Sequence, residues 1–160
     1  MWDSGVFNIN VSTGLSYIVF FYNCIFFFGF RALDEHKQLD ASQLNISVDT
    51  NGNKELHYTG RLCKHVQGGL NNRNVDVKRI TEKSDPSNPR FIVKGFDKYL
   101  QHIQREGRFY RKPLVNKGSD KSIRFSVQSI GINTFVKQNE RLVLGCWHSL
   151  GKQEYYKLLW

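Results

Sequence analysis

The hydrophobic pattern begins with a long apolar run at residues 17–30. This run is apolar on nearly all sides, which is typical of a helix buried on every face. Ser12 and Thr13 are suitable N-caps for it, and Gly29 is a suitable end. Fourteen helical residues span about 21 Å, which is short for a bilayer core. No basic residues precede the run, as they would in a signal peptide. The pattern favours a core helix, with membrane insertion as the alternative.

Shorter-period patterns follow the apolar run. A second helix is expected over residues 31–40, with Leu33 and Leu39 facing inward. Apolar and polar residues then alternate in three segments, 44–48, 55–58 and 74–80. Residues 49–53 contain Asn-Gly, a pair that tolerates positive φ in a hairpin turn. The sequence therefore predicts a small antiparallel sheet of about three strands within residues 44–80.

Helical spacing returns in the second half of the chain. Asn88 is a suitable N-cap and Pro89 a suitable first residue for a helix over residues 90–104. The apolar residues of its inner face are Ile92, Phe96, Tyr99, Leu100 and Ile103. We further expect a short extended piece at 109–110, a polar loop over 115–123 and a last helix over 132–142. The order of elements predicts an α+β fold, without internal repeats.

Composition agrees with one folded domain. The chain has 160 residues, of which 40% are hydrophobic and 14% aromatic. Its mean hydropathy is −0.46. These values disfavour disorder, and the counts of only three Pro and thirteen Gly exclude collagen-like and low-complexity proteins. The three widely spaced cysteines provide no disulfide framework and indicate reduced thiols in an intracellular protein.

The positive charge is concentrated in the middle of the chain. The net charge is +9, and by segment it is −3 over residues 1–60, +8 over 61–112 and +4 over 113–160. A basic excess of this kind is typical of proteins that bind a polyanion, most often nucleic acid. A solvated basic face is the plainer interpretation.

Metal and nucleotide chemistry have little support in the sequence. One residue separates Cys63 from His65, and one separates Cys146 from His148. Paired zinc ligands are usually separated by two to four residues. No glycine-rich phosphate-binding loop or nucleophile elbow is present. We therefore expect no metal and no cofactor.

One segment carries a family resemblance. Gly29-Phe-Arg-Ala-Leu-Asp-Glu-His-Lys-Gln-Leu39 resembles the opening of the catalytic domain of tyrosine recombinases. In that family a three-stranded sheet with a lysine in a β-turn comes next. Here the predicted sheet follows, and Gly60-Arg-Leu-Cys-Lys64 occupies the place of that lysine.

A set of short motifs narrows the resemblance to one branch of this family. They are Phe20-Phe-Tyr-Asn23, Phe28-Gly-Phe-Arg31, Asp34-Glu-His36, Gly68-Gly-Leu70, Asn88-Pro-Arg90, Gly107-Arg-Phe-Tyr-Arg-Lys-Pro-Leu114 and Gly131-Ile-Asn-Thr134. Together they resemble the Crypton-derived, tyrosine-recombinase-like domain at the C-terminus of MYM-type zinc-finger and glutamine-rich transcription-associated proteins. This likeness implies a truncated recombinase-like core over residues 1–137, followed by a divergent tail over 138–160.

The resemblance implies an incomplete catalytic set. Arg31 would clamp the scissile phosphate, and Lys64 would protonate the leaving oxygen as the general acid. His148 is a possible remnant of the family's second basic box. Tyr155 and Tyr156 lie too close to it to serve as the nucleophile. Arg31 paired with a carboxylate on its own helix and Lys64 as an ordinary exposed lysine are the structural alternatives, and catalysis by this chain is not expected.

The expected function is DNA binding without cleavage. Cations of the middle segment, interleaved with Phe109 and Tyr110, would hold the phosphate backbone without reading bases. The predicted DNA-binding residues are Arg61, Arg73, Lys78, Arg79, Arg108, Arg111 and Lys112. The resemblance implies a nuclear domain associated with DNA or chromatin proteins. A mobile-element recombinase fragment and a protein-interaction module are the alternatives.

Overall fold

The fold is given by a computed structural model. It describes residues 3, 5–25, 33–60, 77–85, 87, 92–115, 122–131, 133, 134 and 137. The helices in this part of the chain are α1 (Ser12–Ile25), α2 (Leu33–Gln38) and α3 (Ile92–Gln101), with a 3-10 turn at Ala41–Gln43. The strands are β1 (Leu44–Val48), β2 (Lys54–Thr59), β3 (Arg79–Lys83), β4 (Arg111–Pro113) and β5 (Phe125–Ser129).

Helix α1 is the buried helix that its apolar pattern predicts. Leu15, Ile18 and Val19 are at most 1% exposed. In the part of the chain that is described, no helix is long and apolar enough to cross a membrane. The predicted cap is wrong, because the first helical carbonyl belongs to Val11, which accepts from the backbone N–H of Leu15 at 3.0 Å. The hydroxyl of Ser12 instead forms a tertiary hydrogen bond.

Helix α3 packs across α1 with its apolar face inward. Phe96 and Tyr99 are fully buried, and the predicted inner face is confirmed over the helix. The two helices approach closely at Gly95, where a Cβ atom would lie 2.9 Å from Cγ2 of Ile18. The helix ends at Gln101, three residues earlier than predicted.

The second predicted helix ends two residues earlier than the predicted 31–40, and a separate 3-10 turn follows it. Helix α2 ends at Gln38, and Asp40 caps the 3-10 turn that follows. The Asp40 side chain accepts from the backbone N–H of Ser42 at 3.0 Å, while the Gln43 side chain accepts from the backbone N–H of Asp40 at 2.9 Å. This reciprocal capping box begins a new turn where the sequence predicts the end of a helix. Leu39 is buried as expected.

The predicted three-stranded antiparallel sheet is confirmed, but its third strand covers Arg79–Lys83 and shares only two residues with the predicted segment 74–80. Its strand order is β1-β2-β3, and both pairs are antiparallel. At the turn between β1 and β2, Gly52 has a φ of 83°, the conformation that the Asn-Gly pair anticipates. One face of the sheet buries Leu44, Leu56 and Tyr58 in the core. The opposite face is polar.

A second, two-stranded sheet is absent from the sequence prediction. The extended piece begins at Arg111, two residues later than expected, and β4 pairs antiparallel with β5 through an irregular register. Phe125 on β5 packs its ring against Tyr99 at 4.9 Å between centroids. Of the predicted last helix, only residues 133, 134 and 137 are described, and the predicted tail lies outside the described residues.

These elements share one hydrophobic core. It is formed mainly by α1 and α3, the inner face of the three-stranded sheet and the segment leading into β4. The architecture is therefore α+β, with a few helices and a small antiparallel sheet, as the order of elements predicts.

Candidate nucleic-acid interface

Backbone contacts bring two distant basic segments to one edge of the molecule. Asp40 and Arg108 form an antiparallel bridge, which joins the loop after α3 to the start of the 3-10 turn. At the other end of that turn, the Gln43 side chain donates to the carbonyl of Thr59 at 3.1 Å. Thr59 is paired with Arg79 in the sheet. Arg108 and Arg79 are therefore linked through Asp40, the Gln43 side chain and Thr59.

We call this linked stretch, with Lys78, Arg79 and Arg108 as its cations, the basic edge. All three residues are exposed. Among the described residues, Arg79 and Arg108 make no ion pair. Lys112 is also exposed and lies about 13 Å further along the chain from Arg108, at about 3.3 Å per residue. Exposed cations without carboxylate partners are available to an external anion.

Arg111 corrects the predicted set. It is only 7% exposed, and its guanidinium donates to the backbone carbonyls of Glu106, at 2.8 Å, and Val127. The preceding and following residues point elsewhere because side chains alternate along a strand. Arg111 thus binds the protein's own backbone, and the exposed cation of this strand is Lys112.

The predicted aromatic contribution is also wrong. Phe109 is fully buried and Tyr110 is 5% exposed. Phe109 packs against Phe96 and Tyr99, with ring centroids 6.1 and 5.0 Å away. Neither ring is free to stack on a base, and the exposed residues on either side of them, Arg108 and Lys112, are cations.

The buried side chain of Tyr99 positions residues 109–111, which lie between the exposed cations Arg108 and Lys112. The Tyr99 hydroxyl donates to the carbonyl of Phe109 at 3.0 Å and accepts from the backbone N–H of Arg111 at 2.9 Å. Burial raises the pKa of Tyr99 far above its ordinary value, and the contacts with Arg111 offset this only in part. Tyr99 therefore remains a neutral donor and acceptor at physiological pH and fixes the course of residues 109–111.

A second buried polar cluster holds α2 against α1. Nδ2 of Asn23 donates to the Tyr110 hydroxyl at 2.7 Å, and Nδ1 of His36 lies 2.9 Å from the same hydroxyl. His36 also lies against the Phe20 ring, at 5.3 Å between centroids. In the sequence Asn23, His36 and Tyr110 appear only as parts of family-like motifs, because no local pattern indicates that they meet.

Several predicted residues lie outside the described part of the chain. They are the catalytic candidates Arg31, Lys64 and His148 and the DNA-binding candidates Arg61 and Arg73. Of the predicted DNA-binding set, the structure brings Arg79 and Arg108 to one edge with Lys78. Within the described ranges, no three His, Cys, Asp or Glu side chains come together as a metal site would require.

A polar row on the sheet is the part of this region that sequence reasoning missed. Thr81 on β3 lies directly opposite His57 on β2, and Ser47 on β1 lies diagonally across from it, so that the His57 ring sits between the two hydroxyls. The strand alternation places each of them on the polar face of the predicted sheet. The register between strands, which the sequence leaves open, is what aligns them.

Comparison with known proteins gives no relative. No family model, no curated protein and no solved structure matches the chain.

Proposed function

We propose that this chain is a non-catalytic domain that binds DNA, or DNA in chromatin, through the phosphate backbone. Its fold would be that of a tyrosine-recombinase-like core, as the resemblance of the motifs to the Crypton-derived nuclear domains implies. One observation carries the proposal. Exposed cations from segments about thirty residues apart in sequence, Arg79 and Arg108, share one edge and lack acidic partners within the described residues.

The physical basis is counterion release. Each phosphate that a protein cation neutralises frees condensed counterions, so affinity falls as salt concentration rises. Contacts to about five phosphates would give a log–log slope near −4 to −5. An edge of arginines suits this function, since guanidinium groups donate two hydrogen bonds to phosphate oxygens. Base-specific contacts are not part of the proposal.

The test is a titration of a fluorescent 20-base-pair duplex at several salt concentrations. Arg79→Ala and Arg108→Ala should each weaken binding and reduce the magnitude of the slope by about 0.9. Lys94→Ala is the matched control, because Lys94 is exposed on α3, away from the basic edge. The control removes the same charge and should leave the slope nearly unchanged.

The alternative outcomes are distinct. A slope near zero in the wild-type protein would contradict DNA binding and favour a protein-interaction module. Equal effects of Lys94→Ala and the two arginine variants would show that net charge, rather than the basic edge, governs binding.

A further inference from the structure

The outer face of the three-stranded sheet continues from the basic edge. Strand pairing places Arg79, Thr81 and His57 on the face opposite to the buried residues Leu56 and Tyr58. Arg79 and Thr81 are exposed, and the His57 side chain is 34% exposed. Arg79 belongs to both surfaces, so a strand of nucleic acid on the basic edge can extend onto this face.

His57 lies at the centre of this outer face between two hydroxyl groups. Its Nε2 is 2.6 Å from Oγ of Ser47, and its Nδ1 is 3.0 Å from Oγ1 of Thr81. A neutral imidazole has one N–H donor and one bare nitrogen, so one hydroxyl must donate to the ring. In the imidazolium form both nitrogens donate, and both hydroxyls accept.

Protonation of His57 therefore changes two properties of the face together. It adds one positive charge, and it releases a hydroxyl hydrogen that had been donated to the ring. The released O–H can donate to an acceptor outside the protein. Arg79 lies diagonally across the strand pair from His57, about 7–8 Å away, within reach of a long side chain. Arg79, the imidazolium and a hydroxyl can then share one phosphate group.

The charged groups around His57 leave this face without a net charge while the imidazole is neutral. On β2, Glu55 lies 3.5 Å from Nε2 of His57, and its other oxygen lies 3.5 Å from Nζ of Lys83 on β3. Asp49, in the turn, also interacts electrostatically with Lys83. No charged residue lies on β1. On the opposite face, β2 carries Lys54, which is paired with Asp97, and β3 carries Glu82. Lys78 directly precedes β3. On the outer face Lys83 and Arg79 together offset the two carboxylates, so protonation of His57 gives this face a net positive charge beside Arg79.

We propose that the outer sheet face is a pH-sensitive extension of the DNA-binding surface, in which protonated His57 and Arg79 hold a backbone phosphate. This inference rests on the proposed function. Affinity for DNA rises as pH falls, since imidazole is the side chain that changes charge between pH 5 and 8. A hydrogen bond to a charged group is worth enough to give about a tenfold change in affinity.

The experiment compares the affinity for the 20-base-pair duplex at pH 5.5 and pH 8.0 in the same ionic strength. The wild-type protein should bind about tenfold more tightly at pH 5.5, and its salt slope should be steeper by about 0.9 there. His57→Gln should bind like the wild-type protein at pH 8.0 and lose most of the gain at pH 5.5. His57→Lys should bind tightly at both pH values, because its charge persists.

His102→Gln is the matched control. His102 is exposed at the end of α3, and its Nδ1 donates to the carbonyl of Lys98 at 2.7 Å. This variant should keep the wild-type pH response. Circular dichroism at both pH values establishes that each variant is folded.

The outcomes separate this inference from the proposed function. Binding that strengthens at pH 5.5 to the same extent in His57→Gln would overturn the inference and leave the DNA-binding proposal standing. The absence of any pH response in the wild-type protein would do the same. The absence of salt-dependent binding at both pH values would contradict the proposed function itself.

Discussion

At the scale of single residues, Arg111 illustrates how a cation predicted for DNA binding serves the fold. Its backbone N–H and guanidinium connect Tyr99, the loop at Glu106 and strand β5 at Val127. Among the described residues, its buried Nε has no hydrogen-bond partner, so the guanidinium is held by two carbonyl groups alone. The sequence registers only the charge of an arginine, because burial depends on contacts with residues far along the chain.

Arg111→Ala is expected to destabilise the protein. The change removes two charge-assisted hydrogen bonds and the buried stem of the arginine, at a cost of about 2–4 kcal/mol. Urea unfolding monitored by circular dichroism measures this cost as a lower midpoint at a similar slope. The neighbouring exposed Lys112→Ala should stay within about 0.5 kcal/mol of the wild-type protein. Equal stability of the two variants would show that the buried clamp contributes nothing.

At the scale of elements, the hairpin between β1 and β2 has a built-in pH dependence. The Asp49 carboxylate accepts from the backbone N–H groups of Asn51 and Asn53, both at 2.8 Å. The bond from Asn53, with smaller contributions from Asn51 and Lys83, holds the pKa of Asp49 below its ordinary value of 3.8. The carboxylate therefore stabilises the hairpin above this pH, and the stabilisation is lost as pH falls through the lower, folded-state value.

The substitution Asp49→Asn tests whether the charged carboxylate stabilises the hairpin at neutral pH. The variant should unfold at a lower urea concentration than the wild-type protein at pH 7, because the amide is a weaker acceptor for two backbone donors. The gap should narrow as the pH falls below 3.8, where Asp49 itself becomes protonated. A gap that stays constant between pH 7 and pH 2.5 would show that the charge of Asp49 does not stabilise the turn.

The first turn of α1 requires a glycine at position 14, because the backbone of Asn8 leaves no room for a Cβ atom there. A Cβ atom at Gly14 would lie 2.3 Å from the carbonyl oxygen of Asn8 and 2.7 Å from its nitrogen. Gly14→Ala therefore requires a backbone shift, and we expect a loss of about 1–3 kcal/mol in urea unfolding. Gly131→Ala is the control, since nothing lies within 4 Å of its added Cβ. A stable Gly14→Ala variant would contradict the tight packing of the N-terminal segment.

Some elements of the fold can be predicted from a local sequence pattern, and others cannot. Strands β1 and β2 are predictable because each alternates over several residues around an Asn-Gly turn. Helix α3 is predictable because its apolar residues recur at helical spacing. The three-residue strand β4 carries two cations and a proline, so no local pattern reveals it. Phe125-Ser-Val-Gln-Ser129 does alternate, and this signal could have predicted β5. What holds the pair together is Arg111, a contact that only the folded chain creates.

At the scale of the whole molecule, the sequence predicts the charge of the interface and leaves its shape open. The basic excess in residues 61–112 is evident from composition. The connection between Arg79 and Arg108 depends on the bridge at Asp40 and on the hydrogen bond from Gln43 to Thr59. Phe109 and Tyr110 do not lie at the surface, because both rings pack into the hydrophobic core. The sequence therefore predicts that the site is basic, whereas the positions of its residues depend on tertiary contacts.

The hydrogen bond from the backbone N–H of Arg124 to Oγ of Ser12, at 2.9 Å, spans 112 residues of sequence. During synthesis at about 5–20 residues per second, α1 leaves the ribosome roughly 6–22 s before the residue that completes this bond. Through that interval its apolar surface lacks its C-terminal partners. We therefore expect the newly made chain to expose this apolar helix for many seconds before it is covered.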